Sequence, residues 1–195
     1  MDMHLAVSQI HSIGRRFAVI AALGAVALTS GCGSTRDDNF DRSSEFRDLA
    51  AQIDLTAPSD VSSLQGKATY NGVATADFGG FGGTADAKLA ADFDTQEIEG
   101  KMTSWKDLDP HNYELRGQID LTNGKIANDG SFTSQMAGNI ERDVAGSNQS
   151  DTPVLLIFEG DADGQIYDSV DGASASHLKG SFSGGGVSGA FVAGQ

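Results

Sequence analysis

The chain holds one cysteine, and its surroundings assign it a chemistry. Cys32 follows an uncharged run, Phe17–Thr29, of 13 residues, with Arg15 and Arg16 before it and the small residues Ser30 and Gly31 after it. A basic start, an apolar stretch of roughly 7–15 residues and small residues at the end make a secretory signal. The stretch is shorter than the about 20 residues a transmembrane helix needs. Leu28-Thr29-Ser30-Gly31-Cys32 reads as a bacterial lipobox. In that motif the cysteine thiol receives a diacylglyceryl group, and the peptide is cut just before it. Cys32 is therefore the expected lipidation site, and Gly33, rather than an Asp, fits an outer-membrane passenger. The phenylalanine follows the arginine pair directly, which favours the general secretory route over twin-arginine export.

Other reactive side chains are few. His4 and His11 leave with the signal, so His111 and His177 remain. A nucleophilic triad needs Ser or Cys, His and an acid in mutual contact, and no Gly-x-Ser-x-Gly elbow is present to present such a serine. Glu159-Gly160-Asp161-Ala162-Asp163-Gly164 has a faint likeness to a calcium loop but lacks the distal Glu. A tight turn is expected there, with a weak calcium contact as the alternative. Glu97 and Glu99 sit two apart on an extended segment, about 6.6 Å apart on one face, within the spacing of paired glycosidase carboxylates. That face is the solvent face, where nothing desolvates a carboxyl to raise its pKa. Gly79–Gly83 lacks the Gly-Lys-Ser/Thr ending of a phosphate loop and reads as a hairpin turn. Trp105 closes one alternating segment and is either an exposed anchor for a partner or a cap on one end of the fold.

Charge narrows the partners. Lys plus Arg is 13 and Asp plus Glu is 27 over 195 residues, a formal net charge of −14. A phosphate backbone is recognised by Lys and Arg, so nucleic acid is not an expected partner. With one cysteine there is no intrachain disulfide framework and no Cys-rich metal site; no cofactor and no metal are expected.

The segments that must position these residues follow from periodicity. Residues 1–31 form the signal. Residues 32–58 comprise the lipidated cysteine, a polar tether over 33–44 and a short amphipathic helix over 45–53. That helix places Phe46, Leu49, Ala50 and Ile53 at helical spacing after a Ser44 cap, to pack on the domain or plug one end of it. Residues 59–195 form the main domain, and from residue 66 they alternate with period two over most of their length. Small or apolar positions such as Ala68, Tyr70, Ala74, Leu89, Ile98, Met102, Ile119, Phe132, Met136, Phe182 and Phe191 interleave with polar ones. Turn clusters separate the runs at Gly79–Gly83, Asp94–Gln96, Asn123-Gly124, Asn128–Gly130 and Gly184–Gly186. The expected fold is all-β, an eight-stranded antiparallel up-and-down β-barrel preceded by a short N-terminal helix and a lipidated flexible tether. Phe78, Phe93, Phe132, Phe158, Phe182 and Phe191 should fill it. Charges at mid-strand argue against a lipid-spanning barrel.

Three stretches give this pattern a family. Gly66-Lys67-Ala68-Thr69-Tyr70-Asn71-Gly72, Leu89–Phe93 with Ile98-Glu99-Gly100, and Gly180-Ser181-Phe182-Ser183-Gly184 with Gly189-Ala190-Phe191 occur in the order of strands in the barrel domain of transferrin-binding protein B and related surface lipoproteins. The chain resembles that barrel domain over about residues 64–193. Ser183 stands where the family's closing hairpin has Tyr, and the chain has room for the barrel but not the handle domain of larger members. The resemblance implies an outer-membrane lipoprotein, at the cell surface or in the periplasm, and a link to iron, haem or other nutrient acquisition or to host contact.

The functional expectation is a binding module, not an enzyme. It is anchored to the membrane through lipid at Cys32 and engages a protein or small ligand through its loops near 79–83, 105–112 and 145–152. Trp105, His111 and Tyr113 are the candidate contact residues. A lipocalin-like small-ligand carrier and a purely structural envelope lipoprotein are the alternatives.

Overall fold

The alternation is realised as eight strands, seen in a computed structural model that describes residues 38–108, 113–143 and 153–195. Two compact units divide the chain, Met1–Ser34 and Thr35–Gln195, and every described residue belongs to the second. Cys32, the signal segment and His111 lie outside the described residues. A helix, α1 (Asp38–Ile53), comes first. The strands follow: β1 (Lys67–Asp77), β2 (Gly82–Asp92), β3 (Glu97–Asp107), β4 (Glu114–Ile126), β5 (Ser131–Asp143), β6 (Val154–Tyr167), β7 (His177–Gly184) and β8 (Val187–Gly194). Each is antiparallel to its sequence neighbour, and β1 also pairs with β8, which closes the barrel. The outer wall carries charge at mid-strand, at Lys88, Lys101, Asp120 and Asp161, while the lumen is apolar. A lipid-spanning barrel has the reverse arrangement.

The lumen is filled. Tyr70, Leu89, Met102, Ile119, Leu121, Met136, Ile140, Ile166, Leu178 and Phe191 are fully buried along it. An eight-strand barrel leaves an interior just wide enough for side chains, so large rings must be matched by small neighbours. Four pairs do this across adjacent strands: Phe132 opposite Gly164, Phe158 opposite Gly138, Phe191 opposite Gly180 and Phe182 opposite Gly189. A Cβ added at Gly164, Gly180 or Gly189 would overlap the facing phenylalanine ring, and at Gly138 it would stand 3.0 Å from Phe158 Cζ. Phe93 is only partly buried, against the edge of this core.

Two bulges change the phase of the alternation. In β3 the inward set runs Ile98, Met102 and then Trp105 and Asp107, because between the pairs Thr84–Lys106 and Asp86–Thr103 β3 holds one residue more than β2, with Ser104 at φ 59°. In β4 the inward set passes from Leu121 to Gly124 and Ile126, through a shift between Thr122 and Lys125 with Asn123 at φ 55°. Asn123-Gly124, expected as a turn, is therefore a bulge within a strand, a standard way to bend a barrel wall. Residues 159–164, also expected as a turn, lie in the middle of β6. Gly160 and Gly164 there give room to Ser183 and Phe132 and do not reverse the chain.

Helix α1 begins earlier than its hydrophobic spacing indicates. Residues 38–44, expected as tether, are helical, so Ser44 is an interior position and not a cap. The added turns are tied to the wall by Arg42, which donates to the carbonyl of bulged Ser104 at 2.5 Å and pairs with Asp86 on β2 at 2.8 Å. At the other end Asp54 accepts from Lys179 on β7 at 2.7 Å. From residue 42 to 54 a helix advances about 18 Å, while β2 to β7 by way of β1 and β8 is three strand spacings, about 14 Å. The helix thus crosses the strands on the outside of the closure between β1 and β8. Outward-facing Val73 and Val192, paired across that closure, are buried beneath it, and Ile53 is buried with them. The helix packs on the wall and plugs neither end.

The end bearing the β2–β3, β4–β5 and β6–β7 connections, called the lower end, is sealed by backbone. Val61, after the helix, covers it, with the Val61 amide bonded to the Asn128 carbonyl at 2.9 Å. Ala175 plugs it, and its carbonyl accepts from Tyr70 Oη at 2.8 Å and Gln195 Nε2 at 2.6 Å. Its amide donates to Ser59 Oγ at 3.0 Å and Asp168 Oδ1 at 3.1 Å, and the Ser59 hydroxyl donates to Asp168 in turn.

Two outcomes test this packing. Gly189→Ala should lower stability by about 1–3 kcal/mol in urea unfolding. Combined with Phe182→Leu it should cost less than the sum of the two single changes, since the pair shares one space. Burial pushes the Tyr70 hydroxyl up to about 12, against a smaller downward pull from Gln195. The unfolded chain ionises near 10 and the folded one near 12, so this contribution is whole below pH 10 and lost as pH rises to 12. Tyr70→Phe should flatten that alkaline limb of the stability profile.

Candidate functional site

The opposite, upper end gathers what the sequence scattered. The β1–β2, β3–β4, β5–β6 and β7–β8 connections all leave from it. The strand ends that flank the three loops singled out as contact regions, near 79–83, 105–112 and 145–152, thus lie at one end of one barrel. Residues 109–112 and 144–152 lie outside the described residues.

Side chains close this end. Trp105 is 2% exposed and turned inward by the Ser104 bulge. Its ring meets Phe78 edge-on, with centroids 5.1 Å apart at 77°. Phe78 in turn stacks on Phe81 at 5.1 Å and lies 6.5 Å from Phe158. Trp105 is therefore the cap on the barrel and not an exposed anchor. Its Nε1–H, buried, has no hydrogen-bond partner among the described residues.

Above this cluster Arg142, from the end of β5, lies between two rings. Its guanidinium carbon is 4.7 Å from the Phe81 centroid and 4.1 Å from that of Tyr113. Its Nε donates to Asp107 Oδ2 at 2.6 Å, and the Asp107 side chain is fully buried. A planar guanidinium can stack on rings and pair with a carboxylate at once, which a Lys ammonium does poorly. Tyr113, a predicted contact residue, is half-buried at this rim and serves as one wall of the Arg142 sandwich. Leu108 at this rim is 47% exposed, and its amide donates to the carbonyl of the hairpin glycine Gly82 at 2.9 Å. Phe81 and Asp107 fall within the loops singled out in the sequence, whereas Arg142 lies outside them, because no spacing joins it to the other two. Only the closure of the barrel brings residue 81 to residue 142.

The remaining candidates lie elsewhere. His177 stands at the start of β7, at the lower end, with a buried Nδ1 that has no partner among the described residues. It is not joined to Trp105 or Tyr113. Glu97 and Glu99 face outward on β3, and Lys125 bonds Glu97 at 2.7 Å. That bond holds the Glu97 carboxyl below its ordinary range, opposite to the shift a proton-donating acid needs. Asp161 and Asp163 face outward in mid-strand, and among the described residues no group of three or more His, Cys, Asp or Glu is arranged to hold a metal. No helix among the described residues is long and apolar enough to cross a membrane.

No protein-family model matches the chain, and no curated protein matches it in sequence. Among solved structures, the chain is similar to the crystal structure of isotype 1 transferrin binding protein B from serogroup B Neisseria meningitidis. The two share 19% identity over 71% of this chain and 27% of that one, with a TM-score of 0.41. The chain thus spans about a quarter of the length of that protein, and the likeness is a distant one.

The buried and open ion pairs should separate on mutation. Asp107→Ala removes the buried carboxylate that Arg142 bonds at 2.6 Å and should cost about 3 kcal/mol. Asp86→Ala removes a pair whose carboxylate is 57% exposed and should cost less than about 1 kcal/mol. Equal losses in chemical denaturation would contradict the assignment of Arg142–Asp107 as the brace of the rim.

Proposed function

We propose that the chain is a binding module that presents the upper rim of a rigid barrel to a protein partner. The observation that carries this reading is the division of labour along the barrel axis. The lumen is packed with side chains, and the lower end is tied shut by backbone hydrogen bonds. The upper end combines an exposed aliphatic residue, Leu108, with a braced Arg142 and aromatic rings. Function on such scaffolds is carried by loops held on a stiff frame. Aromatic and arginine side chains are the types enriched where partners bind. A filled lumen favours the rim over an internal small ligand, because binding pockets for such ligands run to about 300 Å³ or more.

The lipobox reading extends the proposal to the membrane. In it, Cys32 carries lipid, the module hangs from the outer membrane, and no catalysis is involved. Protease treatment of intact cells tests its placement. Release of the barrel from whole cells supports a surface module; protection until the outer membrane is opened supports a periplasmic one.

Contact through the rim has its own test. A photo-crosslinking residue placed at Leu108 should give a discrete adduct in cells, one placed at Thr95 on the lower end should not, and Tyr113→Ala should diminish the Leu108 adduct. Equal adducts from both ends, or none from Leu108, would remove the rim from the proposal.

A further inference from the structure

The outer wall is uneven in height and in charge. β5 and β6 have 13 and 14 residues, whereas β7 and β8 have 8 each. The ladder between β6 and β7 begins at Asp161 with Ser183, and the β7–β8 turn closes beside Phe158 and Gly160. Val154, Leu155, Leu156 and Ile157 therefore rise past it. They pair with Arg142, Glu141, Ile140 and Asn139 of β5 on one side. Among the described residues they have no ladder partner on the other. Three of the four are large aliphatics in water: Val154 is 45% exposed, Leu155 56% and Ile157 77%. A bare strand edge of this kind, with no Lys or inward charge to guard it, is a template for another strand.

Along the same outward row, Leu155 and Ile157 are followed by Glu159, Asp161 and Asp163. None of these carboxylates has an ion-pair partner among the described residues; Asp163 accepts only from Ser181 Oγ, at 3.4 Å. The neighbouring outward positions add Glu141 and, on β4, Asp120. Arg116 stands opposite Glu141 and binds Glu114 at 2.8 Å, Lys101 stands opposite Asp120, and Lys179 binds Asp54 at 2.7 Å, so the unmatched acids are those of the β6 row itself, Glu159, Asp161 and Asp163. On the opposite wall acids and bases are matched, Lys67 with Asp92 and Lys125 with Glu97.

We propose that the projecting edge of β6 accepts an extended segment of a partner polypeptide, pairing with residues 154–157, with aliphatic side chains set beside Leu155 and Ile157 and Lys or Arg set against Glu159 and Asp161. Strand addition supplies main-chain hydrogen bonds, and alternate side chains supply selection. A second copy of this chain fits poorly, because each copy carries a formal charge of −14 and would bring one acidic row against another. This surface lies on the wall beside the rim and does not depend on the rim loops for its argument.

The test uses the full chain and a synthetic peptide alternating Val and Lys, labelled for fluorescence anisotropy. Binding is expected, with affinity falling at least tenfold from low to high salt. Glu159→Lys with Asp161→Lys should weaken it at least tenfold, as should Leu155→Ser with Ile157→Ser. These positions point outward, so the variants should keep the far-ultraviolet spectrum of the parent. Glu99→Lys on the opposite wall should leave binding unchanged. A peptide N-methylated at alternate residues should not bind. Equal binding by a Val and Glu peptide, indifference to the β6 variants, or full binding by the N-methylated peptide would overturn the proposal. So would a concentration-dependent dimer that is lost in the Leu155→Ser, Ile157→Ser variant. Peptide binding without a crosslink at Leu108 would retain this surface and remove only the rim reading.

Discussion

The volume inside an eight-strand barrel is fixed by its geometry, and this molecule meets that limit by setting phenylalanine rings over glycines of the next strand. Phe132, Phe158, Phe182 and Phe191 each face a glycine directly across a ladder. A ring that has a hole opposite it fills the axis without forcing the wall outward. The pairing also pins register. A slip of one residue would put each ring against an outward polar position and each glycine against open solvent. The high glycine content is thus a packing requirement of the lumen as much as a supply of turns.

The sequence made the barrel legible because one face of nearly every strand is small or apolar. The alternation placed Tyr70, Leu89, Met102, Ile119 and Phe182 on the inner face, where they lie. It failed where a single residue shifts the phase. Trp105 lies an odd number of positions from Met102, and only the bulge at Ser104 brings both inward. It failed again where glycine and acid cluster without turning the chain, as in β6, because a glycine kept for a neighbour's ring looks like a glycine kept for a turn. The longer helix is a tertiary effect. Arg42 finds a carbonyl and a carboxylate on the wall, and no local propensity announces that. The rim was legible only in part. Tyr113 and the loops stood out by type, while Arg142 and Asp107 join them through contacts between distant strands.

The two ends differ in what holds them. At the lower end, backbone groups of Ala175 and the hydroxyls of Ser59 and Tyr70 form the closure. Such bonds fix position closely and leave little to exchange. At the upper end, rings and one buried charge pair do the same work through side chains. The indole N–H of Trp105, buried without a partner among the described residues, is a polar group whose desolvation the surrounding packing must offset.

Assembly order follows from the helix laid over the closure. Every ladder but one joins strands that are neighbours in the chain. The exception joins the first strand to the last, as at Val73 and Val192. Entropy of loop closure rises with the chain between two partners, so this ladder is the last that becomes worthwhile. Helix α1 then spans it like a clasp, fixed to β2 by Arg42 and to β7 by Asp54. The 8 residues of β8 accordingly act as the timing element of the whole domain. Until they emerge the sheet stays an open, unfastened ribbon, and once they dock the first and last parts of the chain are locked together.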